Sequence, residues 1–459
     1  MKHAPPYGFN IGEAITPLDG RNRYKLLGLS EKFSDFVLNR NRVRIELLYL
    51  QKLSAYGAVR RLNANEKKQI GKLIESFDFK EYIGIRKIEK TINHEAKAVE
   101  EYLKAKLKDT SLKDVCEMVH FGLTSDDVNN LAYAIMLNSC LKDVIFPELD
   151  KILASIKRNA EAYKNTAMLS RTHGQPAAPT TLGKEFSVYY KRLHDEIVIL
   201  KKSRIRGKLT GNTGNLNPHK LIFPGINWPK FSTEFVSELS LEPDIATTQI
   251  EPYDSIIRLF QGIFRINNIL IGLSVDFWLY ITLGYFRQKL IKKEVGSTAL
   301  PHKINPIYFE GAEGGFGVAN ALIEFYSRKL SYSRLQRDLS DSTVRRSFGI
   351  ALGYSLLSYQ SIGEAIVRIE ANGEAIRKDL DSHYEVLSEA FQNYLRVKGY
   401  ENAYDRTKDF FRGRTLTREE IDKFIDGLEI SASDKNVLKG ISPENYTGYA
   451  GELTVKAIK

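Results

Sequence analysis

Cysteine is almost missing from this chain: Cys116 and Cys140 are the two in 459 residues. Two thiols build neither a disulfide framework nor a four-ligand zinc site, and such sparing use predicts a cytoplasmic protein in which both are small core residues. Several motifs are missing too. There is no phosphate-binding Gly-x-x-x-x-Gly-Lys, no dinucleotide Gly-x-Gly-x-x-Gly after a strand, no Gly-x-Ser-x-Gly nucleophile elbow and no His-Glu-x-x-His. The Gly311 to Gly317 cluster does not qualify, because no strand pattern precedes it. The eight histidines lack ligand spacing, so neither a metal nor a cofactor is expected. No repeat or low-complexity tract is present, and the first residues, Met-Lys-His-Ala-Pro-Pro-Tyr-Gly, hold no apolar run of the signal-peptide kind.

Long apolar runs are scarce. Ile269 to Phe286 is the one membrane-like stretch, and it carries Asp276 near its middle, at an insertion cost of about 3 kcal/mol. The residues Leu259, Ile263, Ile266, Leu270, Leu273 and Phe277 recur in alternating steps of four and three. That is the seam of a helix packed among helices, so no membrane partner is expected.

What the chain does have is length and positive charge. At 459 residues it exceeds one simple core. Its net charge of +11 suits either nucleic acid or a small substrate carrying phosphate and carboxylates. Without aromatic and basic alternation, a zinc finger or an RNP-like segment, the sequence favours the small anion and no nucleic-acid partner.

Three further stripes match the seam: Leu141, Ile145, Leu149, Ile152 and Ile156; Phe186, Tyr190, Leu193, Ile197 and Leu200; and Phe348, Leu352, Leu356, Tyr359, Ile362, Ile366 and Ile369. Such regular stripes call for neighbouring helices of similar length. The fold class is therefore read as all-α, with an N-terminal helical domain over 1–115, a central bundle of long helices over 116–362 and a C-terminal helical domain over 363–459. Arg204 to Phe231, rich in Gly, Asn and Pro, reads as a long loop or small hairpin. Thr417 with Glu420, ahead of Ile421, is a capping box.

Six polar segments stand out, each with a structural reading beside a functional one. Between Gly296 and Pro306 lie Ser297, Thr298, His302, Lys303 and Asn305, in a loop that Gly296, Pro301 and Pro306 keep out of helix. Thr91 to Glu95 places His94 among polar neighbours. Thr124 and Ser125 precede a helical period, where Thr124 and Asp127 make a plausible box and the helix mouth a plausible anion site. Ser170 to Pro176 puts Arg171, Thr172, His173 and Gln175 together outside helix. Thr247 to Pro252 leads into the seam helix. Finally, Arg337, Ser342, Thr343 and Arg346 set hydroxyls and arginines one turn apart, an arrangement that can hold phosphate.

The loop Gly296-Ser297-Thr298-Ala299-Leu300-Pro301-His302-Lys303-Ile304-Asn305-Pro306 resembles the signature loop of the fumarase/aspartase superfamily, Gly-Ser-Ser-x-x-Pro-x-Lys-x-Asn, and its His-Lys-x-Asn-Pro version resembles the adenylosuccinate lyase family. The likeness runs from Thr16-Pro17-Leu18-Asp19-Gly20-Arg21 to Asn445-Tyr446-Thr447-Gly448. It implies a three-domain lyase built on a central bundle, assembling as a homotetramer with shared sites and using no cofactor and no metal. It further implies His173 as general acid and Ser297 as general base in the release of fumarate from a succinyl-amine nucleotide. Asn93, His94 and Glu95 would contact substrate. Thr124, Ser125, Gln249, Thr298, Lys303 and Asn305 would bind the succinyl end or order the loop, and Arg21, Arg337, Ser342, Thr343 and Arg346 would hold the nucleotide. The chain departs from the pattern in Thr298 for serine, Glu95 for aspartate, Asn22 where tyrosine usually follows the Asp-Gly-Arg, and Gly311 for asparagine. Gly296 and the Gly311 to Gly317 cluster are expected to let the loop close over substrate. The alternatives in play are another superfamily activity, such as argininosuccinate lyase or aspartase, and a non-catalytic helical scaffold or basic RNA-binding protein.

Overall fold

The computed structural model describes residues 11–291 and 299–459. It is all-α in character, with three short two-stranded sheets among the described residues. The chain divides into two compact units: Met1–Glu148, Ile197–Asn267 and Gly315–Leu357 form one, and Leu149–Glu196, Asn268–Gly314 and Ser358–Lys459 the other.

In the first unit, helix Asp35–Ala55 starts where the Ser34 hydroxyl accepts the Val37 N–H. Its residues Val43, Leu47 and Leu50 pack with Ile70, Ile85, Val99 and Leu103 from the three helices that follow, Ala64–Glu75, Phe79–Ile92 and Glu95–Lys108. Helix Ser125–Cys140 opens as the sequence predicts, with the Thr124 N–H donating to the Asp127 carboxylate at 2.8 Å. A buried polar contact pins three more helices, Asp254–Thr282, Ile307–Lys329 and Phe348–Arg368: the Asn267 amide donates to Asn320 at 3.0 Å and to Ser355 at 3.1 Å. An unmade polar bond at such a buried point would be costly, which fixes the register of the helices there.

In the second unit, residues Ala167–Thr172 and Gln175–Thr181 form an antiparallel hairpin. The C-terminal helices close round Leu387, Phe391, Leu395, Phe411, Leu416, Ile421 and Ile425. One of them begins at the Thr417 cap, whose N–H donates to Glu420 at 2.9 Å.

The predicted stripes are buried, with one exception of detail. The seam from Leu259 to Phe277 is inside along its whole length. Helix Asp254–Thr282 is long and apolar enough to cross a membrane by length and composition, yet that seam is covered by protein and Asp276 accepts a bond from the Tyr189 hydroxyl. In the stripe beginning at Phe186, Tyr189 is buried and Tyr190 only partly so. Arg204 to Phe231 is not one loop: Arg206–Gly207 pairs in parallel with Glu242–Pro243, and Asn217–Ile222 is a helical turn started by Pro218. Gly311, Gly314 and Gly317 lie inside helix Ile307–Lys329, where the backbone bonds of a continuous helix leave no hinge, and the expectation of flexing there is withdrawn.

Candidate functional site

Of the residues singled out in the signature loop, Gly296, Ser297 and Thr298 lie outside the described residues. Lys303 is exposed and Asn305 half-buried on the segment that precedes helix Ile307–Lys329. That segment is tied down on one side, since the Gln288 amide donates to the Ile304 carbonyl at 3.1 Å.

His173 and Gly174 are the two loop residues of the hairpin, with Thr172 facing Gln175. A two-residue turn whose twist matches the strands needs positive φ at both positions, and His173 has φ 52° and Gly174 φ 76°. The imidazole is thereby carried at the exposed tip of a rigid element. Two residues back, Arg171 anchors the hairpin: its guanidinium makes bonds of 2.9 and 2.7 Å to the Asp379 carboxylate and one of 2.8 Å to the Tyr285 hydroxyl. Gly174→Ala would force a Cβ into the left-handed region with no gain in packing, since nothing lies within 4 Å of it. Urea unfolding is expected to show a loss of about 1 kcal/mol; an unchanged stability would contradict this turn geometry.

The first unit holds the other candidates. Asn93 ends helix Phe79–Ile92 in a left-handed conformation, φ 53°. His94 caps the next helix, its Nδ1 accepting the Lys97 N–H at 3.1 Å. A neutral His94 must then carry its proton on Nε2, aimed away from the helix it caps. Glu95 sits between two arginines. One carboxylate oxygen bonds the buried Arg42 at 2.6 Å and the other bonds Arg346. Burial works to raise the Glu95 pKa, but the charges of Arg42 and Arg346 overcome it and hold the carboxyl below its usual range.

Arg42 is itself fixed, donating to Asn129 at 2.8 Å and to Asn39 at 3.3 Å. The side chain of Arg346 also borders a cleft of about 1140 Å³, with Asp19, Arg23, Phe36, Tyr82 and Tyr133 among its walls. Arg21 is exposed on the turn just before Arg23, and Tyr24 is exposed as well.

Gln249 is held from both ends. Its amide nitrogen donates to the Asn212 carbonyl at 3.0 Å and its oxygen accepts from Arg337 at 3.1 Å. Ser342 is half-buried and Thr343 exposed on the helical turn Ser340–Arg345. Thr124 and Ser125 are half-buried at the mouth of helix Ser125–Cys140. Direct bonds therefore join Glu95 to Arg346 and Gln249 to Arg337, while the remaining candidates of this unit stand on separate turns.

Sequence reading missed the residues underneath. Asn39, Arg42 and Glu46 are buried on one helical face, and Glu46 grips His120 through its backbone N–H at 3.1 Å and its ring at 2.5 Å. Their steps of three and four within an apolar helix were the available signal. Glu251 is also buried, and burial, opposed by the Tyr253 N–H and reinforced by the charges of Asp244 and Asp126, pushes its carboxyl up to about 8.

Residues 29–319 match the family model described as Lyase, and residues 333–447 match that described as Adenylosuccinate lyase C-terminal. The chain is 43% identical over 448 residues to an adenylosuccinate lyase of Legionella pneumophila strain Corby, covering 97% of this chain and 98% of that one. It is 41% identical over 441 residues to an adenylosuccinate lyase of Escherichia coli K12, covering 95% and 97%. Among solved structures, it is similar to a fumarate lyase from Mesorhizobium sp. BNC1, with a TM-score of 0.76 at 17% identity, covering 94% of this chain and 97% of that one. A beta-carboxy-cis,cis-muconate cycloisomerase from Acinetobacter calcoaceticus sp. ADP1 is similar with a TM-score of 0.73 at 18% identity, again covering 94% and 97%. At such identities these structures speak to the fold.

Proposed function

The chain belongs to the adenylosuccinate lyase family, and from that premise we propose that it cleaves adenylosuccinate to AMP and fumarate by general acid and base catalysis. It is a lyase. We extend the reading to the succinyl-aminoimidazole-carboxamide ribotide of purine synthesis, which presents the same succinyl-amine. The observation that carries the nucleotide reading is that Arg337 and Arg346 are each held by a polar partner, Gln249 and Glu95 respectively, and that both arginines, with Ser342 and Thr343, fall in the stretch matched by the adenylosuccinate lyase C-terminal model. An amino-acid substrate has no phosphate for these groups.

The chemistry assigns roles. A base takes the proton from the carbon next to one succinyl carboxylate; the electron pair left behind forms the new double bond as the C–N bond breaks; and an acid returns a proton to the departing nitrogen. Ser297 is the base in this reading. A serine hydroxyl becomes basic only where cationic and N–H groups favour the alkoxide, and Lys303 on the same loop is of the right kind. His173 is the acid, an imidazole being suited to proton transfer near neutrality. Negative charge gathering on the carboxylate needs fixed donors, a role for Thr124, Ser125, Thr298, Lys303 and Asn305. Asn93, His94 and Glu95 contact the substrate, and Arg21 with Arg337, Ser342, Thr343 and Arg346 holds the nucleotide. No cofactor enters the scheme.

We also propose the three-part layout of 1–115, 116–362 and 363–459, a cytoplasmic location, and assembly as a homotetramer with shared sites. The apolar clusters around Val43 and around Phe391 support the two outer parts. Val275, Trp278 and Leu279, 40%, 41% and 47% exposed on one long helix, and Phe325, 43% exposed on another, support burial against further copies.

Purified chain supplied with adenylosuccinate is expected to release fumarate and AMP, followed by ultraviolet absorbance, and to leave argininosuccinate and aspartate untouched. Release from either amino acid but not from the nucleotide would overturn the assignment. A fully active monomer on a sizing column would overturn the shared site.

A further inference from the structure

We propose that Arg345, together with Asp126, Tyr253 and Asp341, forms a buried latch that positions the nucleotide-holding residues without touching substrate; the proposal rests on the adenylosuccinate lyase reading above. Sequence position gives no hint of the assembly, since its members are more than a hundred residues apart at the widest and Arg345 stands beside the exposed Arg346 as one of two like charges. In the structure the neighbours part company. Arg346 is exposed, whereas Arg345 is 3% exposed.

The guanidinium of Arg345 bonds Asp126 at 2.7 Å and the Tyr253 hydroxyl at 3.0 Å, and stands 3.7 Å from Asp341. The Tyr253 hydroxyl in turn donates to Asp341 at 2.6 Å. The ring of Tyr133 lies 5.3 Å from the guanidinium carbon, closing another side. A buried cation is tolerated only when its partners are in place, so the four groups must be set together or not at all.

Asp341 and Arg345 are each joined through backbone to a proposed nucleotide contact, while Asp126 and Tyr253 anchor them from the segments that carry Ser125 and Gln249. Asp126 follows Ser125. Asp341 precedes Ser342 and Thr343, and Arg345 precedes Arg346. Tyr253 stands four residues after Gln249, in a left-handed conformation at φ 65° that is uncommon for a residue with a side chain. That conformation is held by the Glu251 carboxyl group, one oxygen of which accepts the Tyr253 N–H at 2.9 Å. On a helical turn adjacent side chains point about 100° apart. Anchoring Arg345 inward therefore sets the rotation of Ser340–Arg345 and with it the directions of Ser342, Thr343 and Arg346.

One guanidinium nitrogen of Arg345, Nη1, makes both bonds, to Asp126 and to the Tyr253 hydroxyl. A lysine there keeps the charge but not the planar, rigid group that fixes where the nitrogen sits. Without any cation, Asp126 and Asp341 face each other unneutralised, each with one oxygen lacking a bonding partner among the described residues.

The test compares adenylosuccinate with its phosphate-free nucleoside form in wild type, Arg345→Met, Arg345→Lys and Tyr253→Phe. Misplacement of a positioning group by about 1 Å costs up to about a hundredfold. We expect kcat/KM on the nucleotide to fall about thirtyfold in Arg345→Met and about tenfold in Tyr253→Phe, with the loss in KM. Arg345→Lys should recover part of it, and on the nucleoside each variant should stay within about threefold of wild type. Tyr253→Phe keeps ring and volume, so it reports even where Arg345→Met fails to fold. Equal losses on both substrates, or an unchanged KM in Tyr253→Phe and Arg345→Lys, would overturn the latch. Wild-type turnover of the nucleotide tests the underlying function separately from the variants.

Discussion

His173→Ala is expected to lower kcat for fumarate release from adenylosuccinate by about a thousandfold while leaving thermal unfolding within a degree or two, the usual reach of a general acid being about 10²- to 10⁴-fold. The two halves of that expectation have separate causes. The imidazole stands exposed on the two-residue turn between Thr172 and Gln175, so its removal opens no cavity and strands no buried group. The turn itself remains, held by Gly174 and by the Arg171 to Asp379 ion pair at 2.7 Å. Activity is lost because the leaving nitrogen then has no proton donor in place. Steady-state assay beside a melting curve checks both halves. Activity within tenfold of wild type would remove His173 from the acid role, and a fall in activity matched by a collapse in melting temperature would make its role structural. Ser297→Ala is expected to be as damaging, and the same pair of measurements applies.

Lys208→Met is expected to cost about 3–5 kcal/mol of stability, the range for breaking a buried ion pair from one side. Lys208 and Asp127 are each fully buried, 3.1 Å apart. The ammonium also donates to the Gly211 carbonyl at 2.9 Å. Methionine fills nearly the same space but leaves the Asp127 carboxylate with no cation beside it. Asp127 has further duties that keep it in place: it accepts the Thr210 N–H at 2.9 Å and the Gly211 N–H at 3.2 Å, besides the Thr124 N–H. It cannot turn to water without breaking the helix start that presents Thr124 and Ser125. Urea unfolding measures the loss, and a change below about 1 kcal/mol, the scale of a surface pair, would show that the carboxylate is neutralised in some other way.

These expectations lie on different levels of what the chain discloses. The helical class, the buried seams and the capping boxes at Thr124 and Thr417 were legible because each depends on residues within a few turns of one another, where spacing alone sets which face is apolar and which group caps. The candidate residues were legible as motif. Which of them bond one another was not: Glu95 to Arg346 and Gln249 to Arg337 span long stretches of sequence. The reading of Arg204 to Phe231 as a loop went astray because Pro218 starts a helix as readily as it interrupts one. The Gly311 to Gly317 cluster misled in the opposite way, since packing of helix Ile307–Lys329 overrode the weak local preference of glycine.

By itself, then, the sequence determined the helical periodicity, the absence of metal-ligand spacing and the motifs that make certain side chains candidates, all matters of local covalent order. Only the tertiary structure decided what their environment is. Asp127, read as a helix cap, proved to be the counter-ion of a buried lysine; Arg345, one of two adjacent arginines, proved to lie in the core and not on the surface. Electrostatic and desolvation energies depend on distances through space and on how much water is excluded, and neither is a property of a residue's neighbours along the chain.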